Sequence, residues 1–368
     1  MRELGHEVFP LVMGGTEKTE VDVYHQEITG KRGLRYKIFK MLPLIVRNTL
    51  KDVLLLKHDL MAAKSLKLAL NSFKPDLVYE RNEYLQNGGL KVVKRAGNLH
   101  YLEINSPCVS EMRNFEGPSL LHFLGKKKEQ YKVRNTDRIF AVSTALKDFI
   151  GEEYGSTAPI EIIPNCINPN RMPLDLSVAK ELREKWNPEH SLVIGFVGSI
   201  FPYHGVEKLI RAYAKSLDLS TVKTFLMIVG DGALRLELEK LANEILPFGS
   251  FGFTGKIPHP LVMDYISMFD IAVMPDSNWY GSPIKIFEYG LLGKLQIVPN
   301  KGPLRDVMIE NEDGIYSDAT IEGLAKALVK GMEEFKDLTW MGENFKSKIL
   351  ENYTWEKQTA KTLSFVKT

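Results

Sequence analysis

Between Val193 and Pro299, strand-like runs that are apolar at nearly every position alternate with amphipathic helical patterns. The strands read as Val193–Gly198, Phe225–Gly230, Phe251–Gly255, Ile271–Pro275 and Leu295–Pro299. Between them, Val206–Leu217, Leu261–Phe269 and Pro283–Leu292 read as helices. A further helix places Leu234, Leu238, Leu241 and Ile245 on one face. Strands without polar alternation have no solvent-facing side, so they belong to a parallel sheet covered by helices on both faces. This predicts a Rossmann-like domain.

The first half repeats the pattern less regularly. Glu7–Val12, Asp76–Tyr79, Leu99–Ile104 and Arg138–Val142 read as strands, and Leu60–Phe73 as a helix. Pro and Asn cluster between Pro164 and Pro188, which predicts a linker there. With 368 residues the chain is long enough for two cores. The expected organisation is residues 1–168, residues 169–352, and a C-terminal segment 353–368 with a helix over Tyr353–Val366 that returns to the first domain. Two open parallel sheets in tandem place chemistry in the crevice outside the carboxyl ends of their strands.

The net charge of +2 gives no strong pull toward nucleic acid. Residues 1–165 carry 25 Lys+Arg against 20 Asp+Glu, and the remainder 23 against 26, so the two halves are expected to meet different partners. Two cysteines, Cys108 and Cys166, indicate neither a disulfide framework nor a metal cluster, and a cytoplasmic location is expected. No apolar run reaches 18 residues. Residues 31–57 hold eight basic side chains (Lys31, Arg32, Arg35, Lys37, Lys40, Arg47, Lys51 and Lys57) against Asp52 alone. Leucines, isoleucines and Phe39 are interleaved with them. Such a stretch reads as a peripheral element for an anionic membrane surface, or as a solvated basic face over a buried helix.

The densest chemistry lies in Gly281-Ser-Pro-Ile-Lys-Ile-Phe-Glu-Tyr-Gly-Leu-Leu-Gly-Lys294. Ser282 is read as an N-cap and Pro283 as the first helical residue, leaving the amides of Ile284 and Lys285 free. A helix N-terminus beside a lysine suits a diphosphate. Glu288, one turn on, can accept hydrogen bonds from a ribose diol. A capped helix with a solvated Lys and Glu is the alternative reading of the same residues.

This segment resembles the donor-binding signature of family-4 retaining glycosyltransferases. Phe196-Val-Gly-Ser-Ile-Phe-Pro-Tyr-His-Gly-Val206, Ile228-Val-Gly-Asp-Gly232, Phe253-Thr-Gly-Lys-Ile257 and Ile163-Pro-Asn-Cys-Ile-Asn168 resemble further family motifs, in the family's order. So do Lys74-Pro-Asp-Leu-Val-Tyr-Glu-Arg81, Glu103-Ile-Asn-Ser-Pro107, Asp137-Arg-Ile-Phe-Ala-Val-Ser143 and Tyr353-Thr-Trp-Glu356. The resemblance implies a GT-B architecture, two Rossmann-like domains facing a cleft, and sugar transfer from a nucleotide-sugar donor to a lipid-linked or surface-polysaccharide acceptor. It assigns Glu288 to the ribose. The family's other carboxylate position holds Tyr280 here, and Asp276 can substitute from the same loop. The basic positions of the first loop, after Gly198, hold Ser199 and His204, so Lys285 carries most of the positive charge, with His204 assisting. Lys256 and Ile257 present backbone to the base. Pro258, His259 and Pro260 follow where guanosine-using relatives can place a carboxylate, which favours a UDP-sugar over a GDP-sugar. Asn105 stands where the family commonly has a histidine near the sugar.

No Asp-x-Asp motif occurs, and a metal-independent site without a cofactor is expected. The chain opens at what reads as the end of the family's first helix, so the first strand and Gly-rich loop, roughly 25–30 residues by the length of such a unit, are read as lacking. A non-transferring enzyme of the same fold, such as a nucleotide-sugar epimerase, and an inactive paralogue acting as a binding subunit are the alternatives.

Overall fold

The computed structural model describes residues 1–12, 39, 41–171, 174–187, 189 and 191–366. The chain divides into two units, Met1–Ile163 and Pro164–Thr368. The boundary falls five residues before the one read from sequence. It lies there because Ile167 is tied to the C-terminal segment: its amide donates to the Tyr353 carbonyl at 3.1 Å, and its carbonyl accepts from the Trp355 amide at 3.1 Å. The terminal helix Trp355–Leu363 therefore groups with the second unit. Much of the expected linker is the helix Leu176–Trp186, started by Asp175, whose carboxylate accepts from the amides of Ser177 and Val178.

The first unit has a four-stranded parallel sheet, β1 (Leu77–Arg81), β2 (Leu99–Ile104), β3 (Arg138–Ala141) and β4 (Ile160–Ile162), in the order β1-β2-β3-β4. The expected strand Glu7–Val12 is not one. Residues 6–12 pair with no sheet among the described residues, and Phe9 instead packs on Phe73 with ring centroids 5.6 Å apart.

The helix before β1 runs over Leu44–Phe73, sixteen residues longer at its start than its apolar pattern indicates. Its packed face carries polar groups. Asn48 donates to the carbonyls of Glu116 and Pro118, and Asp52 accepts from the Tyr84 and Ser119 hydroxyls. Asp59 accepts from the Gly88 amide and from Lys128. Val46, Leu50, Val53, Leu54, Leu60 and Met61 are exposed. The helix is inverted relative to the usual apolar-in arrangement. Of the basic segment 31–57, residues 31–38 and 40 lie outside the described residues.

The second unit has six parallel strands, β5 (Leu192–Val197), β6 (Thr224–Val229), β7 (Phe251–Phe253), β8 (Ile271–Val273), β9 (Leu295–Pro299) and β10 (Ile315–Ser317), in the order β10-β9-β8-β5-β6-β7. Burial explains the unbroken apolar runs. Along β5, Ile194 and Phe196 pack with Leu209, Ile210 and Tyr213 on one side. Val193 and Val197 pack with Met263, Ile266, Phe269 and Tyr289 on the other. The helix Val206–Leu217 stands where its pattern predicts. On Arg235–Ile245 the face differs at its end: Leu238 is buried, Ile245 is exposed, and Leu246 takes the inward position one residue later. The order reverses direction at β5 and β8, so the loops leaving these two strands flank one crevice.

Candidate functional site

Those two loops are residues 198–205, after β5, and 274–283, after β8. The helix Ile284–Leu291 follows the second, with Pro283 as its N-cap. Ser282 is therefore not the cap. Its hydroxyl accepts from the Asn165 amide at 3.0 Å, and its carbonyl accepts from the Asn165 side chain at 2.5 Å. Asn165 was not singled out from sequence as a site residue, although it sits in the Ile163–Asn168 motif. The helix is fixed to the sheet by Tyr289, whose hydroxyl accepts from the Val197 amide at 2.9 Å. Its first amides, at Ile284 and Lys285, have no carbonyl partner within the helix.

Lys285 is the unusual group of this site. Its Nζ is buried, has no hydrogen-bond partner among the described residues, and lies 4.2 Å from the centroid of the Phe196 ring. Burial pushes its pKa down to about 7, against an attraction from Glu288 that acts the other way. A buried amine without a counter-ion costs stability. It stands beside Gly198, where the backbone takes φ +148° and a Cβ would lie 2.8 Å from Nζ. The loop is thus shaped to leave the amine room. It is braced by the next strand: Gly198 donates to the Val229 carbonyl at 3.0 Å, and Ile200 to that of Asp231 at 2.9 Å.

His204 closes the loop beside Lys285. Burial, then repulsion from Lys285, lowers its pKa to about 4, against a hydrogen bond to the Ser199 carbonyl. That direction favours the neutral ring over the cation. Gly205 follows with φ +67°, and a Cβ there would lie 2.7 Å from Cβ of Asp276. Asp276 is held by two lysines that sequence reading did not find. Lys208 reaches Oδ2 at 2.7 Å and Lys301 reaches Oδ1 at 2.5 Å. Burial opposes ionisation, but these bonds prevail and lower its pKa. Glu288 is raised by burial, partly offset by His259 and Lys285. Tyr280 is buried, with its ring edge-on to exposed Trp279 at 5.2 Å. Lys256 is exposed, and Ile257 packs against the core beneath.

In the first unit, Asn105 follows β2. Its side-chain amide donates to Glu103 at 2.8 Å, Tyr79 donates to the other Glu103 oxygen at 2.7 Å, and the Asn105 Oδ1 is buried and without a partner among the described residues. Among the described residues, no three or more His, Cys, Asp and Glu side chains group to hold a metal, and no helix is long and apolar enough to cross a membrane.

Two family models match most of the chain between them: "Glycosyltransferase Family 4" over residues 1–171 and "Glycosyl transferases group 1" over residues 178–348. The chain belongs to the family-4-type glycosyltransferases. The family places this glycosyltransferase's Ser282–Lys294 segment and the 198–205 loop within the second matched region. An uncharacterised glycosyltransferase of Methanocaldococcus jannaschii is 26% identical over 77% of this chain and 72% of that protein. A 2-deoxystreptamine glucosyltransferase of Streptomyces kanamyceticus is 27% identical over 42% of this chain and 40% of its own length. Among solved structures, the glycosyltransferase resembles a sucrose-phosphate synthase from Thermosynechococcus elongatus (TM-score 0.68, 17% identity, 84% of this chain and 77% of that one). It also resembles an Anabaena protein solved in complex with UDP (TM-score 0.68, 16% identity, 82% of each chain). At these identities the structural likeness carries the GT-B fold.

Proposed function

We propose that this glycosyltransferase transfers a hexose from a UDP-sugar to a glycan or lipid-linked acceptor with retention of configuration, and that Lys285 meets the donor diphosphate. The observation that carries the reading is the buried, unpartnered Lys285 amine at a helix N-terminus. Such a group is costly until an anion arrives, and a diphosphate supplies one. In the step, the bond from the sugar C1 to the phosphate oxygen breaks and a bond from C1 to the acceptor oxygen forms. The acceptor proton leaves with the nucleoside diphosphate, on the same face. Lys285 and the helix amides stabilise the charge that develops on the leaving diphosphate. Glu288 accepts from the ribose hydroxyls, and the backbone at Lys256 and Ile257 reads the base. The Anabaena structure solved with UDP-glucose favours uridine, as does the Pro258-His-Pro260 segment with no carboxylate. In the first unit, the Asn105 Oδ1 is a free acceptor for a hydroxyl of the sugar or of its acceptor.

Competition titration of UDP, GDP and ADP, with and without EDTA, tests the donor reading. UDP is expected to bind tightest and to be indifferent to the chelator. Tighter GDP binding, or loss in EDTA restored by manganese, contradicts it.

Proton linkage gives a second test. Lys285 must be charged to meet the diphosphate, and its pKa in the free protein is about 7. Above that pH, binding takes up a proton, so affinity is expected to fall toward a limit of about tenfold per pH unit. Calorimetry between pH 6.5 and 8.5 should show this slope for the protein and none for Lys285→Met. A flat profile would remove Lys285 from the contact.

The outward face of the helix Leu44–Phe73 supports a peripheral role at an anionic membrane. Leu50, Val53, Leu54 and Met61 are exposed there, with Lys57 and Lys64 among them. Sedimentation with phosphatidylserine vesicles at low salt should exceed that with neutral vesicles. Equal binding to both contradicts the assignment.

A further inference from the structure

We propose that Phe201 and Tyr203 form an aromatic platform beside the donor site that takes the ring face of a pyranose, so that the acceptor of this glycosyltransferase ends in a sugar. The inference rests on the donor reading above and deepens it by naming the class of acceptor. Phe201, Pro202 and Tyr203 are consecutive and exposed, in the loop that follows β5. Phe201 keeps 40% of its surface and Tyr203 38%. Their rings stack, with centroids 6.0 Å apart and planes 5° from parallel. From them a run of rings leads inward. Tyr203 lies 4.4 Å from His204, His204 6.1 Å from Phe196, and the Phe196 ring 4.2 Å from Lys285 Nζ. The platform therefore starts beside the amine that is read as meeting the diphosphate, where the acceptor oxygen has to approach.

The turn that carries the two rings is fixed. The His204 amide donates to the Phe201 carbonyl at 3.0 Å, and the Gly205 amide to that of Pro202 at 3.2 Å. The His204 ring is bonded to the Ser199 carbonyl, and Ile200 is fully buried beneath. The rings are thus held in place before a ligand arrives, and little ordering entropy is lost on contact. Apolar side chains kept exposed in this way beside a crevice mark a contact surface.

The chemistry of that surface selects the ligand. A pyranose presents C–H hydrogens on its ring face and hydroxyls around its edge. The face meets the negative π surface of an aromatic ring while the hydroxyls stay in water. An isoprenoid or acyl tail needs an aliphatic trough, and the turn offers none. Apart from Pro202, the one aliphatic side chain in residues 198–205 is Ile200, which is turned inward. A nucleobase is also flat, but the backbone read as meeting it follows β7, and β6 lies between β5 and β7 in the sheet.

The experiment titrates the whole protein, with and without saturating UDP, followed by saturation-transfer NMR. The probes are the methyl pyranosides of glucose, galactose, mannose and N-acetylglucosamine, with geraniol as the lipid probe. At least one pyranoside is expected to bind, with the strongest saturation on the protons of one ring face. Phe201→Ala and Tyr203→Ala should each raise its Kd about three- to tenfold, the span of one aromatic contact, and the double variant should combine the two losses. Tyr203→Phe, which keeps the ring, should stay within about twofold of the unmutated protein. The melting temperature of each variant shows whether it folds.

A pyranoside Kd in the folded double variant within about twofold of the unmutated protein overturns the proposal. So does the absence of pyranoside binding to the unmutated protein. Geraniol binding that the alanine variants abolish would make the rings a lipid seat, and also overturns it. Loss of UDP and pyranoside affinity in equal measure would mean that the rings only shape the donor loop, with the same consequence. If UDP does not bind at all, the donor reading fails by itself, and the nucleotide-free titration still decides the platform.

Discussion

Lys285→Met is expected to weaken nucleoside diphosphate binding by about 10- to 150-fold, the span of a charge-assisted hydrogen bond of roughly 1.5–3 kcal/mol. The same substitution should leave the melting temperature unchanged or higher. Both expectations follow from one fact: the amine is buried without a partner. In the free protein its charge is desolvated, and among the described residues the Phe196 ring, 4.2 Å from Nζ, and Glu288 offset that. Methionine fills a similar volume without the charge. Linkage adds a signature. Lys285 has an ordinary pKa of 10.5 and one of about 7 when folded. Between those values the unfolded chain holds more protons, so stability rises with pH across the window and is lost as pH falls toward 7. Lys285→Met should flatten that part of the stability profile. A variant that loses both binding and stability would mean that Lys285 is a structural residue.

Gly230→Ala is expected to destabilise the second unit by roughly 2–5 kcal/mol, combining backbone strain with overpacking, and to remove nucleotide binding. Gly230 has φ +131°, and a Cβ there would run into the carbonyl of Gly198. That obstacle is backbone, and it belongs to the loop that leaves room for the Lys285 amine. Relief therefore requires the 198–200 loop to move. Denaturant unfolding measures the first effect and calorimetry the second. A folded Gly230→Ala protein with unchanged nucleotide affinity would show that this loop does not shape the site.

The second unit was legible in the sequence because its strands are buried on both faces. β9 falls on Leu295–Pro299 and the helix on Val206–Leu217, as their patterns predict. The first unit was harder because its long helix reverses the rule. With Asn48, Asp52 and Asp59 packed inward and leucines outward, apolar periodicity points the wrong way, and the first sixteen residues of the helix go unread. Residues 7–12 are apolar enough for a strand but form no ladder among the described residues, and Phe9 packs on Phe73 instead. At the site, the motif pointed to Lys285 and Glu288, and both lie on the helix Ile284–Leu291, because a helix start is signalled locally in sequence. It misassigned Ser282, whose hydroxyl is engaged by Asn165, 117 residues away. The clamp on Asp276 was invisible for the same reason: Lys208 and Lys301 lie 68 and 25 residues from it, and only the sheet order brings them together. The lowered pKa of His204 likewise depends on burial beside Lys285, which no local pattern encodes.

The most direct test of the account is a crystal structure of the protein soaked with UDP. The account predicts a diphosphate oxygen within hydrogen-bond distance of Lys285 Nζ, the phosphates over the first amides of the helix Ile284–Leu291, and the ribose hydroxyls on Glu288. A nucleotide bound elsewhere, or one seated here with the Lys285 amine still unpartnered, would contradict it.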